Sequence, residues 1–195
     1  MHKLLITGFD PFGGENINPA WEAVSRLPDS IGEWNLTRLQ IPTVFGKATE
    51  TVLDCAKTLE PDAIICVGQA GGRKAITPEM VGINLRHAAI ADNEGNQPQD
   101  EPIAPDGPAA YFTTLPVRRM VQAVSEVGLP AAVSYSAGAF VCNDTLYALL
   151  HHYNGTKVRA GFIHVPFLPE QAPEGVPSMS LDDIITALKK AIETI

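Results

Sequence analysis

The stretch Asp62–Val67, "DAIICV", constrains the fold more than any other part of this chain. It is apolar without a break from Ala63 to Val67, rich in β-branched residues, and bounded by Pro61 and Gly68. A strand with one face in water would alternate polar and apolar residues. One that is apolar on both faces must be covered on both, which is the situation of a central strand in a parallel sheet flanked by helices. A parallel neighbour in turn requires a crossover connection, normally a helix.

The rest of the chain supplies that alternation. Lys3–Thr7 reads as a first buried strand, ended by Gly8, Asp10 and Pro11. A short helix is expected over Trp21–Leu27 and a second strand over Leu36–Ile41. Phe45–Leu59 has helical spacing through Val52, Cys55 and Leu59, with Pro61 as its stop. Gly68 to Thr114 is irregular and contains the strand-like "VGINLRHAAI" and a Pro-rich loop. Beyond it lie a helix over Pro116–Val127, a strand over Ala131–Ser134, a helix over Asn143–Tyr153 and a strand over Val158–Val165. Ser180–Ile195 is a closing helix, with Ser180 as N-cap and Asp182 and Asp183 in its first turn. The expected class is α/β, a three-layer α/β/α sandwich with a mainly parallel central sheet, formed as one domain over residues 1–195.

Composition narrows the function. Fourteen Lys and Arg against 22 Asp and Glu give a net charge of −8, with no long basic run, which disfavours nucleic acid and anionic membranes as partners. The apolar start, "MHKLLIT", is too short for a secretion signal, so the cytoplasm is the expected compartment. Three widely spaced cysteines suggest free thiols, and no metal-ligand spacing is present.

In α/β sheets the working residues gather on loops at the carboxyl ends of the strands. The loops Gly8–Asn18, Gly68–Glu79 and Gly138–Asn143 qualify. Cys142 lies where the helical pattern begins, and the free N–H groups of a helix start lower a thiol's pKa. It reads as a nucleophile or as a small core residue, whereas Cys55 and Cys66 read as core. His164, in "GFIHVP" near a strand end, can reach a neighbouring helix start as a base, or serve as an ordinary strand-end histidine. His151 and His152 are too far along the helix to turn back onto Cys142. Glu79, in "ITPEM" after a Gly-rich loop, is the candidate orienting acid, with Asp92 and Asp144 as competitors. Phe9, Phe12 and Phe140 could wall a small apolar pocket.

These segments resemble the pyroglutamyl peptidases I. The matching pieces are "TGFDPFGG…NP" at Thr7–Pro19, "GQAGGRKAITPE" at Gly68–Glu79, "DNEGNQP" at Asp92–Pro98, "SAGAFVCN" at Ser136–Asn143 and "GFIHVP" at Gly161–Pro166. The resemblance implies a cysteine peptidase that removes N-terminal pyroglutamyl residues from peptides, needs no cofactor or metal, and assembles as a homo-oligomer, a tetramer or dimer. It places the nucleophile on Cys142, the histidine on His164 and the acid on Glu79, and the pyrrolidone pocket on Phe9, Phe12, Gln69, Ile90, Phe140 and Val141. The chain departs from the family's pattern at Ala89, where an arginine is usual, at Ala91, where a proline is usual, and at Met80 and Gly82. On a strand, Arg86 would face away from position 89 and could not replace that arginine. Two rivals stand beside the peptidase: a weakened homologue that binds capped peptides, and a nucleoside phosphorylase-like enzyme, which would need several cations converging on a phosphate.

Overall fold

A computed structural model describes residues 1–195. In chain order the strands are β1 (His2–Phe9), β2 (Ser30–Ile31), β3 (Trp34–Ile41), β4 (Ala63–Gln69), β5 (Thr77–Pro78), β6 (Val81–Ile83), β7 (Ala110–Phe112) and β8 (Arg159–Val165). The helices are α1 (Pro19–Val24), α2 (Lys47–Leu59), α3 (Val117–Glu126), α4 (Val141–His152) and α5 (Leu181–Ile192). Six strands form one sheet in the order β2-β3-β1-β4-β8-β5. The inner four, β3-β1-β4-β8, are parallel, and the short β2 and β5 run antiparallel at the two edges.

Residue alternation sorts the core into two layers. Leu4, Ile6, Ile65, Val67, Ile163 and Val165 face the side covered by α1, α3 and α5. Leu5, Phe9, Ile64, Cys66 and Phe162 face α2 and α4. Both faces of β4 are therefore dry, as its apolar run requires, and each large aliphatic side chain so buried contributes about 1.5–3 kcal/mol. The expected three-layer α/β sandwich is the observed one. No helix is long and apolar enough to cross a membrane.

The differences from expectation lie at boundaries and in the irregular section. The first helix starts earlier, at Pro19, because Asn18 Oδ1 caps it by accepting from Ala20 N at 3.0 Å and proline suits the first turn. α4 also begins earlier, at Val141, which puts Cys142 inside the first turn and not before it. Of "VGINLRHAAI" only Val81–Ile83 is a strand, paired with β7. Beyond it, the Asn143 amide takes the Ile83 N–H and the Ile83 and Leu85 carbonyls, and Asn84 bonds Ile103, Ala104 and Gly107. Side-chain amides have replaced the ladder partners a strand would need. Ala131–Ser134 is likewise not a strand, only two isolated bridges, Ile76 with Ala131 and Glu79 with Ser134.

Candidate active site

The site is built at the carboxyl ends of β4 and β8. His164 on β8 is the register partner of Gly68 on β4, so its side chain rises on the α2/α4 face beside the Gly68 backbone. α4 starts directly above. A Cβ added to Gly68 would lie 3.0 Å from Cys142 Sγ and 2.7 Å from the Phe162 ring. Glycine here is a matter of close approach: its missing side chain leaves the space that the thiol occupies next to the imidazole position. The Phe162 and His164 ring centroids are 4.7 Å apart.

Glu79 reaches His164 because β5 pairs antiparallel with β8, Thr77 opposite His164, and the Glu79 N–H donates to Phe162 O at 2.9 Å. The Glu79 side chain is fully buried, and its Oε1 lies 2.7 Å from His164 Nδ1. An ionised carboxylate only accepts, so Nδ1 carries the proton and Nε2 keeps its lone pair. Burial alone would raise the Glu79 carboxyl, but the hydrogen bond from His164, joined by the one from Arg73, outweighs it and holds the group below the usual carboxylate range. Burial lowers His164 below its ordinary value despite the carboxylate. The imidazole is neutral at neutral pH.

Cys142 departs from expectation. Its thiol is half-buried at the start of α4, but lost hydration, with the nearby Glu79 charge, pushes it up to about 12. The helix start does not outweigh dry surroundings and an adjacent anion. The resting pair is therefore a thiol and a neutral imidazole.

The start of α4 is pinned by buried polar side chains. Asn143 holds the 83–85 segment as described, and Asp144 accepts from Gly46 N at 2.9 Å and from Arg86 Nε at 2.6 Å. Asp144 is thus a fully buried partner of Arg86 and not an orienting acid. Asp92 is also structural, accepting from the backbone of Phe45, Glu94 and Asn96. Arg86 lies outside any regular strand, so the strand-parity comparison with position 89 does not apply; Ala89 is exposed, its carbonyl held by Gln97 at 3.0 Å.

The pocket residues separate into two groups. Phe12 and Phe140 are neighbours with ring centroids 6.1 Å apart, and Phe9 packs on Phe162 at 6.0 Å. Phe45, which helical spacing had absorbed into α2, meets Phe140 edge-on at 5.3 Å and belongs to the same aromatic group. The loop carrying Ile90 is tied to this end of the sheet by Asn93, which bonds Thr43, Asp10 and Pro11. Ile90 itself is 52% exposed. The Val141 side chain is sealed in the core, leaving only its backbone to the site. Gln69 falls on the opposite alternation from Gly68, its amide oxygen 3.4 Å from Gln171 Nε2. Phe12, Phe45 and Phe140 thus form one aromatic group, Phe9 is a buried side chain packed on Phe162, and Gln69, Ile90 and Val141 lie apart from that group. The largest open cleft, about 370 Å³, opens beside Phe45 along Arg86, Gln97 and Glu101, and contains none of the three catalytic candidates.

Arg73 was not foreseen as a site residue. Its Nη1 donates to Glu79 Oε1 at 2.9 Å, so the cation that a phosphate-binding rival would need is committed to a carboxylate. The only sequence signal was a cation in a Gly-rich loop six residues before the acid.

A thiol at a helix start, an imidazole on the adjoining strand and a buried carboxylate behind it, on an α/β sandwich, define a cysteine-type hydrolase. The family profile described as pyroglutamyl peptidase matches residues 2–195, and the chain belongs to that family. It is 54% identical to the pyrrolidone-carboxylate peptidase of Bacillus subtilis (strain 168), with 98% of this chain and 91% of that one covered. Identity to the Levilactobacillus brevis pyrrolidone-carboxylate peptidase is also 54%, over 99% and 97% of the two chains. Among solved structures, pyroglutamyl peptidase I from Bacillus amyloliquefaciens superposes with a TM-score of 0.96 at 52% identity, covering all of this chain and 96% of the other. The pyrrolidone carboxyl peptidase from Thermococcus litoralis gives 0.94 at 37% identity, covering 100% and 93%.

Proposed function

We propose that this chain hydrolyses the bond following an N-terminal pyroglutamyl residue of a peptide, with Cys142 as nucleophile, His164 as general base and acid, and Glu79 as orienting carboxylate. The observation that carries the assignment is the 2.7 Å contact of His164 with a fully buried Glu79, set in register with the glycine beneath the Cys142 sulfur.

The pyroglutamyl ring is small, flat and uncharged. The rings of Phe12, Phe45 and Phe140 suit its faces, and backbone groups can meet its single N–H and C=O. An ordinary amino terminus would bring an ammonium group into the same apolar place without a partner, which is costly and excludes it. His164 Nε2 takes the Cys142 proton as sulfur adds to the carbonyl carbon. The unpaired backbone N–H groups in the first turn of α4 stabilise the oxyanion. The imidazolium passes the proton to the leaving nitrogen, the C–N bond breaks, and a thioester remains on Cys142. Water then adds with His164 as base, the C–S bond breaks, and pyroglutamic acid leaves as the thiol regains its proton.

We also read the protein as a cytoplasmic homo-oligomer. Its three cysteines are free, and Phe112 and Tyr135 are 75% and 62% exposed, which is aromatic surface suited to a second copy.

Release of a fluorescent amine from its pyroglutamyl amide, beside the alanyl and prolyl amides, tests the function. Selective pyroglutamyl release that iodoacetamide stops is expected. A folded protein that releases none, or that survives alkylation, contradicts it.

A further inference from the structure

Arg73 sits where one side chain can tie together three segments. The chain leaves β4, turns through Gly72 at φ 83°, and closes the turn with an Arg73 N–H to Ala70 O bond of 3.3 Å. From there Nη1 donates to Thr77 Oγ1 at 2.7 Å, to Glu79 Oε1 at 2.9 Å and to Ser134 Oγ at 3.3 Å. Nη2 donates to the Ser136 carbonyl at 3.0 Å, on the segment that leads to Cys142. The arginine therefore joins β5, the buried acid and the approach to the nucleophile.

The carboxylate has few other partners. Glu79 Oε2 is buried with no hydrogen bond, so Oε1 receives the direct donors, His164 and Arg73. Ser134, the other donor near it, gives its proton to Ser136 O at 3.1 Å. Without Arg73, a fully buried anion would depend on one histidine.

We propose that Arg73 is a positioning residue for the hydrolytic reaction, holding Glu79 Oε1 ionised and aimed at His164 while fixing the segment that carries Cys142. The proposal rests on the triad reading above. Arg73 acts on the reacting atoms through Glu79. Its fork makes several bonds in different directions at once, which a lysine cannot do. The charged or titratable groups acting on the site are Glu79, Arg73, Cys142 and Cys66, and of these Arg73 alone is a cation. Its charge opposes protonation of His164, so removing it raises the pH at which the imidazole is lost as a base.

The test is a set of kcat, KM and pH profiles for the wild type, Arg73→Met, Arg73→Lys, Glu79→Gln and the double variant Arg73→Met/Glu79→Gln on a pyroglutamyl amide. Losing one charge-assisted bond to a buried anion should lower kcat roughly 10- to 100-fold in Arg73→Met, with KM nearly unchanged. The acid limb of kcat/KM should move to higher pH. Arg73→Lys should return the limb towards wild type while recovering only part of kcat. In the Glu79→Gln background, Arg73→Met should cost little more in kcat on the pH plateau, because the hydrogen-bonded route through the carboxylate is already cut. An unmoved limb with fully additive losses overturns the proposal and leaves the triad intact. A Glu79→Gln enzyme with wild-type kcat overturns the triad itself. If Arg73→Met does not fold, Arg73→Lys and its double variant with Glu79→Gln carry the same comparison.

Discussion

Gly68→Ala isolates the close approach on which the site depends. The added methyl carbon would stand 2.7 and 2.8 Å from two carbons of the Phe162 ring and 3.0 Å from Cys142 Sγ. Ordinary carbon contacts begin near 3.5 Å, so the ring must retreat by about 0.8 Å and the sulfur by somewhat less. Phe162 cannot move freely: it is fully buried, with Phe9 at 6.0 Å and His164 at 4.7 Å between centroids. Overpacking of this kind costs about 1–3 kcal/mol. For a chain of this length that is a fall in Tm of roughly 2–12 °C. The chemical effect should be larger, because displacing a reacting atom by about 1 Å can cost on the order of 100-fold. Calorimetry beside kcat/KM on a pyroglutamyl amide makes the comparison. A folded Gly68→Ala enzyme with wild-type Tm and turnover would refute the claim that this glycine makes room for the thiol.

Two further predictions concern protons. His164 is lowered in the folded state, so kcat/KM should rise with pH to a plateau whose acid limb lies below the ordinary histidine value of about 6.5. Folding stability should begin to fall as pH drops past that same value, since the unfolded chain takes up the histidine proton first; a limb above it contradicts the neutral, buried imidazole. Alkylation of Cys142 by iodoacetamide should keep accelerating from neutral to strongly alkaline pH, because the resting thiol is pushed up to about 12. A rate that levels off above the acid limb would instead indicate a preformed thiolate–imidazolium pair.

Much of this architecture is legible in the sequence for a physical reason. "DAIICV" can be stable only with both faces covered, and that one requirement brings the parallel sheet and its two helical layers with it. Cys142, His164 and Glu79 stand out because each is a reactive type at an element boundary, where burial alone explains it less well. What stayed hidden depends on pairing at long range. β5 is two residues long and has no periodicity to read, yet its pairing with β8 delivers Glu79 to His164. Arg73 meets Ser134 and Ser136 because the 131–134 segment bridges back to Ile76 and Glu79, a pairing without any local periodicity. Phe45 follows a helical pattern locally and becomes a pocket residue only when Phe140 arrives against it. The raised thiol is not legible either, because the sequence shows the helix start at Cys142 but not the burial around it. Asn84 and Asn143, polar residues in apolar company, were the visible sign that "VGINLRHAAI" would be held by side chains and not by a neighbouring strand.

The central claim is that one sulfur carries the reaction. Turnover of a pyroglutamyl amide should be measured in Cys142→Ser, Cys55→Ser and Cys66→Ser, each checked for folding. Loss of turnover in Cys142→Ser alone is the predicted result, since a serine hydroxyl in that place is far harder to deprotonate and Cys55 and Cys66 lie in the packed layer. A folded Cys142→Ser protein that still releases the amine at the wild-type rate would contradict the account at its foundation.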